Sequence, residues 1–451
     1  MIRGAWRTRY GFYLLAIGSA CSLGNLWRFP FVVGENGGGA FVLLYVFVTL
    51  AVGLPLLIGE LILGKHSRKS VMVATQQIAT SEGKVFRWSG RLSVFLSLIV
   101  LAYYSVISGW VLHFIMQFLV AIFAGEFRVG ISSLMGNGAM QWALASVHIL
   151  ITIFVVTKGV KDGIEKWISS LMPLFAILVI ILTIQTMSLP SSFQVVRFLF
   201  YPDFSKLTLS SLNHAIGHAF FTLSVGFGTM VTFGSYMNEK DHIPTMGFRV
   251  ALVDTLVSVF AGLLVFPIAF QVMDRPLTDP ALLFEVMPRF MAQIPGGYIF
   301  GLTFFVSLYL AALNASIGLL ENTLSNWLDI SQKKMLRSRA VWGVGAVILV
   351  LSLIPAMSES PLGNIKLGER SLIETLDRLL INWFLPAVAL FLLITIQKGI
   401  KKKELERHFI NRDYPASLSM YSHWIFVIKW FAPGIILLGM TLQLISLFVR
   451  N

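Results

Sequence analysis

Two segments of this chain, residues 18–25 (GSACSLGN) and 221–228 (FTLSVGFG), place glycines and small polar residues in the middle of long apolar runs. A continuous helix in lipid satisfies its own backbone hydrogen bonds, so it has no use for such a segment. A helix that is broken at mid-depth instead leaves main-chain N–H and C=O groups free to hold a small polar solute and its ions. The two segments lie about 200 residues apart, and this spacing indicates an internal repeat.

The composition around these segments is that of a polytopic membrane protein. The 451 residues are 56% hydrophobic and 13% charged, with a mean hydropathy of +0.78, unlike a soluble domain. Eleven apolar segments are long enough to cross a hydrocarbon core of about 30 Å. We predict spans 1–11 at 10–33, 38–64, 92–121, 140–157, 167–188, 212–236, 248–273, 297–328, 340–357, 374–397 and 424–448.

The net charge of +13 predicts an orientation rather than a nucleic-acid partner, because the basic residues lie in short loops between spans. With the N-terminus in the cytoplasm, the cytoplasmic segments hold 24 Lys and Arg residues and the external segments hold 8. This bias follows the positive-inside rule. We therefore expect an inner (plasma) membrane protein with a cytoplasmic N-terminus and, after an odd number of spans, an external C-terminus. Because Cys21 is the only cysteine, an intrachain disulfide is excluded.

Four motifs carry a resemblance to a known family: residues 6–11 (WRTRYG), 23–30 (LGNLWRFP), 35–41 (ENGGGAF) and 220–228 (FFTLSVGFG). They resemble the neurotransmitter:sodium symporter family, and in particular its bacterial amino-acid transporters. The resemblance implies an all-α polytopic fold with two inverted five-helix repeats, broken helices 1 and 6, and an added helix 11. The first repeat would span 1–188, the second would span 189–397, and 398–451 would hold a basic cytoplasmic loop and helix 11.

The resemblance also implies how an amino-acid zwitterion is bound. The carboxylate would take the amides of Leu23 and Gly24 at the start of the second half-helix, with the Tyr104 hydroxyl. Taken alone, Tyr104 is more typical of an interfacial or core-packing residue, and the two breaks are what favour a role in binding. The ammonium would take the carbonyls of Ala20, Phe221 and Thr222 and the Ser224 hydroxyl.

The side-chain pocket implied by the resemblance holds no charged residue. A charged substrate side chain would be desolvated there without a partner. We therefore expect a neutral, largely hydrophobic L-amino acid. The lining residues would be Val100, Tyr104, Phe221, Phe227, Ala315 and Leu319.

A first sodium ion would resemble one held by Ala20, Asn25, Thr222, Asp254 and the substrate carboxylate, since alkali cations prefer hard oxygen ligands. Animal members of the family have a neutral amide at the position of Asp254 and recruit chloride. A permanent carboxylate replaces that anion, so we predict chloride independence. His218 nearby is either a titrating group or, as we favour, a neutral hydrogen-bonding histidine.

A second sodium site departs from the family pattern. The resemblance assigns it the carbonyls of Gly18, Cys21 and Ala311 and two adjacent hydroxyl side chains. Here those two positions are Asn314 and Ala315. Asn314 offers an amide oxygen and Ala315 offers no ligand, so one sodium ion is expected and a second remains open.

Two charge pairs flank the site and are candidate gates. Outside, Arg28 would meet Asp377, unless the adjacent Arg378 satisfies that carboxylate instead. Inside, Arg3 would meet Asp329. Pairs of modest strength suit a contact that must open in every cycle.

Together these residues predict a sodium-coupled symporter of a neutral amino acid that works by alternating access. It would be a monomer or weak dimer in a lipid bilayer, without nucleic-acid partners or covalent chemistry, and no nucleotide-binding motif is present. Two alternatives remain. In one, coupling is to protons or is replaced by exchange, because the second sodium site lacks a ligand. In the other, the chain is a sensor that binds an amino acid without moving it.

Overall fold

The computed structural model describes residues 9–125, 127, 130–239, 241–273, 275–276, 280–331, 335–360, 362–363, 371–410 and 416–449. Within these ranges every regular element is a helix and no strand occurs. The all-α fold predicted from the sequence is therefore confirmed.

Nine helical segments among the described residues are long and apolar enough to cross a membrane. They correspond to spans 2–5 and 7–11. Most extend a few residues beyond the predicted apolar runs, because a helix continues past the membrane wherever its polar residues face water. Their bounds are Gly39–Ser67, Lys84–Ala124, Gly138–Thr157, Val160–Thr186, Ile243–Met273, Gly297–Ile330, Arg337–Ala356, Leu372–Gly399 and Leu418–Val449.

The two remaining spans, 1 and 6, are interrupted where the sequence predicts breaks. Span 1 consists of helix Arg9–Ala20, a π-helical turn Gly24–Arg28 and helix Phe29–Glu35. Span 6 consists of helices Ser211–Thr222 and Thr229–Gly234. No piece is long enough to cross the membrane alone, so these two spans have backbone groups that their own helices do not satisfy.

Among the described residues, five shorter α-helices lie between the spans. The fourth, which we call α4, lies between spans 7 and 8. Its Phe284 stacks on Phe114 of span 3 with ring centroids 5.9 Å apart, so α4 closes one end of the bundle. In chain order the five are α1 (Val71–Glu82), α2 (Ser132–Met135), α3 (Ser192–Phe200), α4 (Pro280–Gln293) and α5 (Lys402–Phe409).

Burial separates the central spans from the peripheral ones. In its most apolar window, span 8 is 78% buried inside the protein, whereas span 11 is 22% buried. Span 8 packs against spans 1 and 3 and against the second half of span 6. The two breaks therefore lie in the interior of the bundle, against the most enclosed helix.

Candidate functional site

The break in span 1 is held open by side chains that replace the missing helical hydrogen bonds. The Ser22 amide donates to Asn25 Oδ1 at 2.9 Å, and the Gly24 amide donates to Ser22 Oγ at 3.0 Å. Serine and asparagine compete with the backbone in this way wherever a helix is interrupted. The polar residues that signal the break in the sequence thus stabilise it in the fold.

The break in span 6 depends on backbone conformations that favour glycine. Gly226 has φ +87° and Gly228 has φ +77°, and Ser224 between the half-helices has φ +55°. The Gly226 amide donates to Glu60 Oε1 at 2.6 Å, so this buried acid of span 2 caps a free amide of the break. Left-handed conformations are costly for residues with a Cβ, so Ser224 needs support from its surroundings.

That support comes from the other break. Ser224 Oγ donates to the Ser19 carbonyl at 3.2 Å and lies 3.0 Å from Ser19 Oγ. Both residues are buried. The two unwound segments therefore meet directly, and the groups predicted from sequence positions some 200 residues apart form one site at the centre of the bundle.

Donors converge at the start of the second half of span 1. The Leu23 amide donates to the Tyr104 hydroxyl at 3.0 Å, which brings span 3 against the break. Gly24 is packed so closely that a Cβ there would lie 2.9 Å from the Phe221 ring. Leu23, Gly24, Tyr104 and Phe221 are thus brought together, and their N–H and O–H groups suit a small anion such as a carboxylate.

The predicted side-chain pocket is also assembled from three spans. Its six residues are at most 7% exposed, and none is charged. Phe221 and Phe227 meet edge to face with centroids 6.3 Å apart. The enclosed surface suits an apolar group. The residues are Val100 and Tyr104 of span 3, Phe221 and Phe227 of the span 6 break, and Ala315 and Leu319 of span 8.

Asp254 on span 7 is the acidic centre of the site, and it is fully buried. Its carboxylate accepts hydrogen bonds from Asn25 Nδ2 at 2.7 Å, Tyr45 at 2.9 Å and Thr222 at 3.1 Å. Ser258 contacts both Asn25 and Tyr45, at 2.9 and 3.1 Å. Three predicted members of the first sodium site, Asn25, Thr222 and Asp254, are therefore in direct contact, and the fourth, Ala20, is buried at the end of the first half-helix.

The electrostatics of Asp254 favour a cation. Within the part of the chain that the structure describes, no Lys, Arg or His forms an ion pair with this carboxylate. A carboxylate at mid-membrane costs about 2.5–3.5 kcal/mol on insertion scales unless it has a partner. Asn25, Thr222 and Asp254 together offer three oxygens, which suits an alkali ion.

The predicted second site contains one polar atom without a partner. Asn314 is fully buried, and its Oδ1 has no hydrogen-bond partner among the described residues. Its Nδ2 donates to Met172 Sδ at 3.0 Å, and a Cβ on Gly18 would lie 3.3 Å from the same sulfur. The structure thus brings Gly18 and Asn314 together, with Cys21 and Ala311 also buried.

Ser316 does not replace the hydroxyl that Ala315 lacks. Its Oγ lies 2.8 Å from His148 Nε2, and that histidine also contacts Tyr309. The helical turn of about 100° per residue directs the Ser316 side chain to span 4 instead. His148 is therefore a satisfied core histidine.

On one side of the site, Arg28 is the centre of a buried network. Its Nε donates to Asp377 Oδ2 at 3.2 Å and its Nη2 donates to Asn382 Oδ1 at 3.1 Å. His218 Nδ1 lies 3.3 Å from Arg28 Nη1 and must accept, because a guanidinium has donors only. This geometry favours the neutral, hydrogen-bonding interpretation of His218.

The competing partner for Asp377 is occupied elsewhere. Arg378 pairs with Glu35 at 3.0 Å and with Glu374 at 3.1 Å. Tyr103 donates to the second oxygen of Asp377 at 3.1 Å. Asp377 therefore belongs to the Arg28 network, and Arg378 forms a separate cluster with Glu35 and Glu374.

On the other side of the site, the predicted partner of Asp329, Arg3, lies outside the described residues. Asp329 accepts a hydrogen bond from the Ser70 amide at 2.9 Å. It lines a cavity of about 330 Å³ with Tyr236, Ser325 and Arg337.

Sequence reasoning missed the polar cluster beside this cavity. Glu321 is fully buried, pairs with Arg337, and accepts from Tyr236 at 2.9 Å and Ser325 at 3.0 Å. A buried acid is seldom without a cationic partner, and the sequence offers several basic residues near this loop. The acid within span 8 therefore indicated that a cationic partner was needed, but the sequence did not identify Arg337 as that partner.

The chain is similar to known proteins along nearly its whole length. The sodium:neurotransmitter symporter family matches residues 3–125 and 120–450. The "Uncharacterized sodium-dependent transporter YhdH" of Bacillus subtilis is 32% identical over 95% of both chains. A sodium-dependent transporter of Haemophilus influenzae is 27% identical over 96% of this chain and 97% of its own.

A solved structure, that of MhsT in complex with L-phenylalanine, superposes with a TM-score of 0.89. It is 29% identical and covers 98% of this chain and 99% of its own. The relatives and the structural neighbour are transporters rather than enzymes. The chain belongs to the sodium:neurotransmitter symporter family and is a multi-pass, sodium-dependent transporter.

Proposed function

We propose that this protein couples inward sodium flow to the uptake of a neutral, largely hydrophobic L-amino acid by alternating access, without chloride. The observation that carries the proposal is the direct contact between the two breaks, through Ser19 and Ser224, beside an uncharged pocket and a buried carboxylate. The amino acid would lie between the breaks, with its carboxylate at Leu23, Gly24 and Tyr104. Its ammonium would lie at the carbonyls of Ala20, Phe221 and Thr222 and the Ser224 hydroxyl.

The substrate class follows from the pocket. Because its lining is buried and uncharged, an ionic side chain would lose its hydration without compensation. The superposed relative binds L-phenylalanine, which supports an aromatic or large aliphatic substrate. Ala315 has a small side chain and so favours such a substrate, whereas the nearby Gly318 packs against Ser19.

The first sodium ion would be held by Ala20, Asn25, Thr222, Asp254 and the substrate carboxylate. Asn25 Nδ2 and the Thr222 hydroxyl both donate to Asp254, and Asn25 Oδ1 accepts from the Ser22 amide. Because ion and substrate would share the carboxylate, the binding of each would favour the other. The Asp254 carboxylate would supply the negative charge that balances the sodium ion. The nearby hydroxyls of Tyr45 and Ser258 are already hydrogen-bonded within the Asp254 network, so chloride would not be needed.

Orientation and gating complete the proposal. In the inner membrane, the N-terminus would be cytoplasmic and the C-terminus external. The two repeats would span 1–188 and 189–397, and 398–451 would form the last unit. The protein would be a monomer or a weak dimer. Arg28 and Asp377 would close the external side, and Arg3 and Asp329 the cytoplasmic side. The Glu321, Tyr236 and Arg337 cluster would strengthen the cytoplasmic closure.

Tyr104→Phe tests the carboxylate site. A hydrogen bond to a charged group contributes about 1.5–3 kcal/mol, so we expect amino-acid affinity to fall about 10- to 100-fold. Equilibrium binding of labelled substrate to purified protein would measure the change. Tyr309→Phe removes a partly buried hydroxyl of span 8 from its contact with His148 of span 4 and should leave affinity unchanged. Equal affinities for wild type and Tyr104→Phe would reject the assignment.

Asn314→Ala and Ala315→Ser test the second sodium site. If Asn314 Oδ1 is a ligand, removing it should lower the sodium affinity for substrate binding, whereas Ala315→Ser, by adding a hydroxyl ligand, should raise it severalfold. Ser316→Ala is the matched control, because its hydroxyl faces His148. Sodium titrations of substrate binding supply the measurement. Identical titrations for wild type and both variants would indicate that only one sodium ion binds.

A binding screen tests the function itself. Each of the twenty amino acids is titrated into purified protein with sodium and with an equimolar inert cation. The proposal expects a neutral, apolar amino acid to bind and to require sodium. Preferred binding of a charged amino acid would contradict the pocket assignment, and equal binding without sodium would favour the proton-coupled or exchange alternative.

A further inference from the structure

A cluster of two histidines and a glutamate lies far from the transport site, where span 2 meets helix α5. His66 is in the last turn of span 2, and Glu404 and His408 are one turn apart on α5. One potential ligand atom from each residue lies within 4.8 Å of the others. We propose that these three side chains form a binding site for a divalent transition metal of the zinc class.

The geometry is close to that of a tetrahedral site. His66 Nδ1 lies 3.4 Å from His408 Nε2 and 3.9 Å from Glu404 Oε2. Bonds of about 2.0–2.2 Å to a tetrahedral ion place neighbouring ligand atoms about 3.3–3.6 Å apart. The first separation falls within this range and the second exceeds it by about 0.3 Å, while all three ligand atoms lie within 4.8 Å of one another.

The two imidazole rings are in direct contact. They meet edge to face, with centroids 5.5 Å apart and planes at 80°. Because the closest approach joins two ring nitrogens, His66 Nδ1 and His408 Nε2, both lone pairs can reach a shared ion once the side chains rotate.

The donor set selects the class of metal. Two imidazole nitrogens and one carboxylate oxygen suit Zn²⁺ and the neighbouring first-row ions, whereas Ca²⁺ and Mg²⁺ prefer oxygen ligands alone. Three protein ligands leave one position for water. The site resembles no part of the proposed sodium sites, whose donors are carbonyl, amide, hydroxyl and carboxylate oxygens.

The nearby cations do not block the site. Lys65 Nζ donates to the carbonyls of Glu239 and Asp241 at 3.0 and 2.8 Å, and Arg68 pairs with Glu239. Arg407 lies 3.8 Å from Glu404 but its side chain is 72% exposed, so this contact is weak and can open. A bound ion would therefore compete with one solvent-exposed arginine.

A bound ion would tether α5 to the end of span 2. Helix α5 already packs beside the start of span 7, where His242 Nε2 lies 3.2 Å from the Phe409 carbonyl. Phe409 also packs on Trp424 of the last helical region, with ring centroids 5.0 Å apart. The ion would add a direct link between the loop helix and the bundle.

The test uses the full-length protein, purified without a polyhistidine tag, and Co²⁺ as the spectroscopic probe. We expect saturable binding of one Co²⁺ per chain with visible absorption bands typical of tetrahedral coordination, and displacement by Zn²⁺. His66→Gln, Glu404→Gln and His408→Gln should each weaken binding at least tenfold, because even outer-shell changes cost about 10- to 100-fold.

Two variants serve as controls. His423→Gln removes an exposed histidine elsewhere, and Glu406→Gln changes an acid on α5 outside the cluster; both should bind Co²⁺ as wild type does. Zn²⁺ should also raise the unfolding temperature of wild type but not of the His66→Gln/His408→Gln double variant. Absence of saturable binding at millimolar Co²⁺, or unchanged binding by the double variant, would overturn the proposal. None of these readouts depends on amino-acid transport, so the outcome is independent of the proposed function.

Discussion

Asp254→Asn is expected to lower sodium-driven uptake in chloride-free buffer by about two to three orders of magnitude. Two unit charges about 4 Å apart at a protein-like dielectric interact by about 4 kcal/mol, and each 1.4 kcal/mol is a tenfold change in affinity. Asparagine keeps the shape of the side chain and an oxygen that can accept from Thr222, but it removes the charge that holds the ion and the carboxylate that accepts from Tyr45. Initial rates of labelled amino-acid uptake into proteoliposomes, at several sodium concentrations, would measure the change.

Chloride provides a second measurement on the same variant. Without the carboxylate, the hydroxyls of Tyr45 and Ser258, 3.1 Å apart, become available to an anion. We therefore expect chloride to restore part of the Asp254→Asn activity and to have no effect on wild type. Asp203→Asn, in an exposed loop, is the matched control. If Asp254→Asn keeps wild-type uptake without chloride, the carboxylate does not balance the ion.

Gly226→Ala is expected to abolish sodium-dependent substrate binding. At φ +87°, alanine is strained by about 1–2 kcal/mol, and its Cβ would lie 2.8 Å from Leu385 Cδ1. Overpacking adds about 1–3 kcal/mol. The break would shift away from Glu60 and Ser19, so the main-chain groups that face the substrate would lose their positions. Equilibrium binding at saturating sodium would measure the loss.

The control distinguishes a local effect from a general one. Gly343→Ala in span 9 adds the same methyl group where no heavy atom lies within 4 Å. It should retain binding and thermal stability. Because Gly226→Ala could unfold the protein, its melting temperature is measured as well. Glu60→Gln, which weakens the hydrogen bond to the same amide without adding a Cβ, is measured beside it for binding and melting temperature. A folded Gly226→Ala protein with wild-type affinity would show that the break conformation does not matter for binding.

The breaks and the acidic centre were predictable because their signals are local. Clusters of glycines and small polar residues rarely interrupt the apolar run of a continuous membrane helix, and Asp254 stands out as a carboxylate in a span. Tyr104 was ambiguous alone, since an aromatic residue on a helix usually serves packing. Its assignment depended on the breaks, and its contact with the Leu23 amide fits that assignment.

The polar clusters around the site were harder to predict, because their partners are distant in sequence and chosen by packing. Glu321 meets Tyr236 and Arg337 across different elements, and several other cations lie near the same loop. Arg378 was an equal candidate for Asp377 until its position showed that it faces Glu35. Helix register decides such pairs, and a single sequence does not fix register between helices.

The limits of the spans show a second gap between sequence and structure. Span 3 runs from Lys84 to Ala124, whereas hydropathy predicts only 92–121. The additional turns carry Lys84 and Arg91, which are exposed, so hydropathy marks the membrane-embedded part and not the whole helix. The helix α5 site was likewise outside the apolar pattern, because its residues come from a basic loop.

Uptake of a labelled neutral amino acid into proteoliposomes tests the coupling itself. An inward sodium gradient, with chloride replaced by an impermeant anion and pH equal on both sides, should drive accumulation above the external concentration. Collapse of the gradient with a sodium ionophore should release the accumulated substrate. Full uptake with sodium absent from both sides, or accumulation driven by a pH gradient alone, would contradict sodium-coupled transport by this protein.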